Sequence, residues 1–151
     1  MKKIIAIILC MSVLAGCFPS KSGVVHSSAE DAISALESKD DIILVVGKSD
    51  CSACEEFQGV MDEIVKNYDL RITTVIMDDE EPVVDESTNK KTYPEYEELE
   101  QYIGVVAGTP TVYFIKEGVI KGMFTGAVSY DTFKDKIEKY GFLPEAKPTE
   151  E

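Results

Sequence analysis

The chain has 151 residues, with 28 acidic and 15 basic side chains and a formal net charge of −13 at pH 7. So acidic a surface repels phosphate backbones and offers anionic lipid no polybasic grip, which excludes nucleic acid as a partner and electrostatics as the route to a membrane. With 44% hydrophobic residues the chain can build a core, and its length suits one domain.

Lys2 and Lys3, an apolar stretch over residues 4–14 and then small residues form the pattern of an export signal, residues 1–16. The apolar stretch is shorter than the ~20 residues of a membrane-spanning helix, and no later segment comes closer. Leu14-Ala15-Gly16-Cys17 resembles the lipobox of bacterial lipoproteins, where cleavage before the cysteine leaves it as a lipidated N-terminus. That resemblance implies a lipid anchor on Cys17 and a place on the bacterial cell membrane, facing outside the cytoplasm. Ordinary cleavage with a free Cys17 is the alternative.

Residues 17–27 are rich in small and polar types and read as the lipidated N-terminus and a tether, although residues 24–26 suit a short edge strand. Ser28 is a good N-cap for a helix over residues 29–38, with Ala32, Ile33 and Leu36 on one face. Residues 42–46, Ile-Ile-Leu-Val-Val, predict a strand covered on both faces. A long amphipathic helix follows over residues 52–68, with Phe57, Val60, Met61, Ile64 and Val65 apolar.

Residues 70–77 read as a second strand and the acidic residues 78–92 as a loop insertion. A helix over residues 95–103 carries Tyr96, Leu99 and Ile103 at helical spacing. Residues 111–115 and 119–124 form a hairpin about the Lys116-Glu117-Gly118 turn, and Ser129 caps a last helix bearing Tyr130, Phe133, Ile137 and Tyr140. Crossover helices after the first two of these strands predict parallel pairing there, and the hairpin an antiparallel pair. The domain then covers residues 28–141, with a disordered tail over residues 142–151.

Of the four cysteines, Cys10 leaves with the signal and Cys17 is assigned to lipid, so Cys51 and Cys54 remain. Two cysteines are too few for a disulfide scaffold, and in an oxidising compartment this spacing reads as a redox couple. Cys51 sits at a helix start, where unpaired N–H groups and the helix dipole favour a thiolate. Cys54, one turn inside, is placed to attack a mixed disulfide. Cys51 is thus the expected nucleophile and Cys54 the resolving thiol.

Strand, Cys51-Ser52-Ala53-Cys54 at a helix start and a later Gly108-Thr109-Pro110 before a strand together resemble the thioredoxin superfamily over residues 24–140. The resemblance implies an α/β fold, a thioredoxin-like three-layer sandwich whose central mixed sheet of four or five strands has helices on both faces. It also implies a cis bond before Pro110 and a Thr109 backbone that pairs with an extended substrate segment. This sequence departs from the family where Asp50 replaces a tryptophan, where Ser52-Ala53 replaces Gly-Pro, and where Val45 stands in place of a buried aspartate.

Other chemistries fit the acidic, histidine and tyrosine residues less well. Copper-handling relatives separate their cysteines by three residues and place a histidine late in the domain, so His26 reads as a surface or edge-strand residue rather than a ligand beside Cys51 and Cys54. Asp78-Asp79-Glu80-Glu81 with Asp85 and Glu86 lacks the alternating ligands and fixed glycine of a calcium loop. Tyr93, Tyr96 and Tyr102 straddle core and surface and are assigned no site.

The expected protein is a monomeric, membrane-anchored thiol-disulfide oxidoreductase, without metal or cofactor, that exchanges disulfides with cysteine-containing exported proteins and is recycled by a membrane or extracytoplasmic redox partner. Asp50, Glu55 and Glu56 oppose a thiolate on Cys51, which favours the reducing or isomerising direction. The alternative is a non-catalytic thioredoxin-fold accessory protein, such as those that serve bacteriocin transport.

Overall fold

The structure, a computed structural model, describes residues 22–143. The expected export signal, lipidated Cys17, the start of the tether and residues 144–151 of the expected disordered tail lie outside the described residues, whereas Phe142 and Leu143, expected to open that tail, pack on the core instead. Eleven elements follow in order: β1 (Gly23–His26), α1 (Ala29–Glu37), β2 (Ile42–Gly47), α2 (Ser52–Asn67), β3 (Arg71–Ile76), β4 (Val83–Asp85), β5 (Lys90–Thr92), α3 (Pro94–Ile103), β6 (Thr111–Lys116), β7 (Val119–Thr125) and α4 (Tyr130–Lys139).

Five strands form one sheet in the order β1-β3-β2-β6-β7, with β1, β3 and β2 parallel and β6 and β7 antiparallel to their neighbours. The end of the expected tether is therefore strand: Val24 and Val25 pair with Ile72 and Thr73, and Val24 packs on the core. The second expected parallel crossover is not formed. β6 enters beside β2 and runs against it, Val46 facing Thr111, because the chain after β3 turns through a hairpin and α3 and re-enters at the same sheet end. This direction puts the start of β6 next to the end of β2, where the cysteines begin.

Alternation along β2 divides the core. Leu44 and Val46 face Leu36, Leu99 and Ile103 of α1 and α3. Ile43 and Val45 face Phe57, Met61, Ile64 and Phe133 of α2 and α4. All five residues of β2 from Ile43 to Gly47 are buried, as a doubly covered strand requires. Each fully buried Leu, Ile or Phe side chain here contributes about 1.5–3 kcal/mol.

Residues 78–92 are more ordered than a loop insertion: β4 and β5 pair as a small hairpin beside the main sheet. Its three-residue strands are almost wholly exposed, so no apolar alternation announces them. Glu80 and Asp85 of this stretch are engaged by the chain. Glu80 accepts hydrogen bonds from the N–H groups of Glu95 and Tyr96 and so caps α3, and Asp85 accepts from Ser87 and Thr88 in the hairpin turn. Tyr102 donates to Glu37, bracing α3 against α1, and Tyr96 is buried.

Candidate active site

Cys51 is the N-cap of α2, and its side chain and that of Cys54 are joined as a disulfide across a Cα–Cα distance of 5.2 Å. Two donors converge on the Cys51 sulfur. The Cys54 N–H lies 3.2 Å away, and the Thr109 hydroxyl also reaches it at 3.2 Å. In the reduced protein the same donors, with the N-terminus of a sixteen-residue helix, face the charge of a Cys51 thiolate.

Thr109 is held in place by the segment around it. The Thr109–Pro110 bond is cis and Pro110 is buried. Its carbonyl accepts from the Gly126 N–H at 2.8 Å, and the Thr111 hydroxyl donates to the Gly108 carbonyl at 2.6 Å. The cysteine loop is secured as well: the Ser49 N–H and hydroxyl both donate to Asp78, at 2.8 and 2.6 Å. Burial pulls the Asp78 carboxyl upward, but these two bonds and the Lys48 charge outweigh it and hold it below its ordinary value.

A family model described as a thioredoxin-like domain matches residues 28–141, across strand, CxxC helix and Thr-Pro segment alike. The chain belongs to the thioredoxin-like domain family. Thioredoxin f from spinach chloroplast superposes with a TM-score of 0.60 at 17% identity, covering 80% of this chain and 96% of that one. A mutant thioredoxin from Halobacterium salinarum gives 0.60 at 19% identity over 83% and 96%, and Schistosoma mansoni thioredoxin 0.57 at 24% over 80% and 97%. At such identities the likeness is one of fold. No curated protein sequence matches the chain. A thioredoxin-like domain that carries a disulfide-forming CxxC pair is a thiol-disulfide oxidoreductase.

The thioredoxin-like site has its own wall. A cleft of about 300 Å³ opens between the first turns of α2 and the β1 edge of the sheet, with Cys54, Val45, Thr74, Gln58 and His26 among its lining residues. Gly47 forms its floor under Cys54. A Cβ there would meet the end of the Ile76 side chain at 3.0 Å and the Cys54 sulfur at 3.5 Å, so a larger residue would crowd Ile76 and press on Cys54. Asp50, Glu55 and Glu56 are exposed, so water screens their effect on Cys51.

Cys51, Cys54, Thr109 and Pro110 thus come together at one sheet end, while Cys17 lies outside the described residues. Sequence reasoning missed Ser49 with Asp78, Gly47 as the floor, and His26 as part of the cleft. The signal for His26 was its spacing of two from Val24, which puts both on the same strand face. Among the described residues no cluster of three or more His, Cys, Asp or Glu side chains is placed to hold a metal ion, and no helix is long and apolar enough to cross a membrane.

Proposed function

We propose that the protein is a lipid-anchored, extracytoplasmic thiol-disulfide oxidoreductase that reduces or isomerises disulfides of cysteine-containing exported proteins. Cys51 is the attacking thiolate, Cys54 resolves the mixed disulfide, and Thr109 with Pro110 offers backbone to an extended substrate segment. The observation that carries the chemistry is the convergence of the Cys54 N–H and the Thr109 hydroxyl on the Cys51 sulfur at the start of α2. The envelope location rests on the export signal and on the lipobox-like Leu14-Ala15-Gly16-Cys17. A membrane or extracytoplasmic partner returns electrons to the pair.

A trapping experiment tests this reading. Cys54→Ala, expressed in the native host, accumulates mixed disulfides through Cys51 with exported proteins, and Cys51→Ala does not. Absence of any mixed disulfide in Cys54→Ala, or equal capture by both variants, overturns the assigned roles. Detergent partitioning tests the anchor, with Cys17→Ala expected to lose it.

A further inference from the structure

A resolving cysteine needs somewhere to send its proton. A thiol of ordinary pKa, about 8.5, is only a few per cent thiolate at pH 7, so attack by such a group is slow unless a base takes the proton. Val45, which lines the same cleft as Cys54, is hydrocarbon and offers no such base.

The cleft supplies one from another direction. His26, Thr74 and Val45 lie in register across β1, β3 and β2, so their side chains share the face that α2 covers. His26 is the single histidine of the chain and, among the described residues that line the cleft, the one ionisable side chain apart from Cys54. Its Nε2 is 2.8 Å from the Asp79 carboxylate. With the Nε2–H donating to that carboxylate, the Nδ1 lone pair is left able to accept.

The acids nearest His26 in the fold come from the loop after β3, where Asp78 is engaged by Ser49 and Asp79 meets the imidazole. Asp79 comes from the loop after β3, Cys54 and the neutral Gln58 from α2, Thr74 from β3, and Val24 from its own strand. Of the two acids that follow Asp79, Glu80 is engaged at the start of α3 and Glu81 is exposed.

We propose that His26, oriented by Asp79, is the proton-transfer residue for Cys54, acting through water in the cleft. This rests on Cys54 being the resolving thiol. In the reducing direction the Cys51 thiolate attacks a substrate disulfide, which forms a Cys51–substrate bond and releases the first substrate sulfur as a thiolate. The Cys54 thiol then gives its proton to His26, and its sulfur attacks Cys51. The Cys51–Cys54 bond forms, the second substrate sulfur departs as a thiolate, and the imidazolium returns the proton to it or to water. Two electrons leave the cysteine pair and reduce the one substrate disulfide. In the reverse direction His26 protonates Cys54 as it leaves.

Stopped-flow reaction of the reduced protein with an aromatic disulfide such as dithionitrobenzoate separates the two steps. The first release of coloured thiolate reports Cys51, and the second reports attack by Cys54. His26→Ala is expected to leave the first phase unchanged and to slow the second about tenfold near pH 7, with the deficit closing at high pH where hydroxide replaces the base. Added imidazole, small enough for the open cleft, should restore the second phase, and His26→Gln should not. An unchanged second phase in His26→Ala overturns the proposal. So does a slowed phase that neither imidazole nor pH moves, which marks a merely structural role. A wild-type protein with no second release, or a Cys54→Ala protein that retains it, overturns the underlying assignment of Cys54, whereas two wild-type phases indifferent to His26 overturn the relay alone.

Discussion

Asp78 at the end of β3 accepts both the backbone N–H and the hydroxyl of Ser49, and so ties the second strand of the sheet to the loop that delivers Cys51. The two parallel strands β2 and β3 end together, with the Met77 N–H on the Gly47 carbonyl at 3.0 Å. The cysteine loop therefore leaves the sheet from a fixed platform and enters α2 with Cys51 already in an extended, capping conformation.

Asp78→Asn should loosen that tie. Loss of the charge from two hydrogen bonds at a half-buried site is expected to cost about 1–2 kcal/mol in urea denaturation at pH 7. Because the folded Asp78 carboxyl titrates below its ordinary value, its contribution is full above about pH 4 and is lost as the pH falls through the folded value. The gap between wild type and variant should accordingly close in acid. A gap that stays constant through the acid transition would contradict the tie.

Thr109→Val keeps the shape of the side chain and removes the hydroxyl that points at Cys51. One donor to the thiolate is lost, so the apparent pKa of Cys51 should rise by up to about one unit and its alkylation near neutral pH should slow several-fold. Thr109→Ser should retain the wild-type profile. The pH dependence of iodoacetamide alkylation measures this, and identical profiles for Thr109→Val and wild type would remove Thr109 from the site.

Two glycines should respond in opposite directions. Gly118 follows Glu117 in the β6–β7 turn, with φ of 73° and 53° respectively, and a Cβ on Gly118 would lie 2.7 Å from the Leu36 carbonyl oxygen. Gly118→Ala is expected to cost about 1–3 kcal/mol. Gly59 lies mid-way along α2 with nothing within 4 Å of a Cβ, so Gly59→Ala should gain about 0.5–1 kcal/mol. Thermal unfolding of the pair distinguishes backbone strain from a general intolerance of larger side chains.

How much of this was legible in the sequence follows the range of the forces involved. The Gly118 turn, the Ser28 and Ser129 caps and the doubly buried β2 are local or periodic, and each was readable. The direction of β6 was not, because crossover reasoning follows the chain whereas the pairing of Val46 with Thr111 depends on where α3 ends in space. β4 and β5 carried no apolar alternation to read. His26 and Asp79 are 53 residues apart, and only the β1–β3 register brings them together. The cysteines and the Thr-Pro segment were recognisable as motifs, while the residues that hold them, Ser49, Asp78 and Gly47, look like ordinary loop and strand residues until the fold is built.

The redox potential tests the balance of charge around Cys51. Stabilising the reduced thiolate raises the potential of a dithiol pair, and the Cys54 N–H, the Thr109 hydroxyl and the start of α2 all act in that direction. Asp50, Glu55 and Glu56 act against it, but all three are exposed and their field is screened within about 10 Å at ordinary salt. No side chain between the cysteines adds charge, since Ser52 and Ala53 occupy those positions. Without a cation between the cysteines to stabilise the thiolate beyond what the helix start supplies, the couple should lie nearer the about −270 mV of thioredoxin than the about −120 mV of the strong periplasmic oxidant. Replacing the three acids together by Asn and Gln should raise the potential by about 10–30 mV at low ionic strength, one tenfold step in the exchange constant at most, and by less when salt is added. Equilibration with glutathione buffers measures both quantities. A wild-type potential above about −180 mV would reverse the proposed direction and leave the exchange chemistry standing. A triple variant unchanged at low salt would show that the helix start and Thr109 alone set the thiolate.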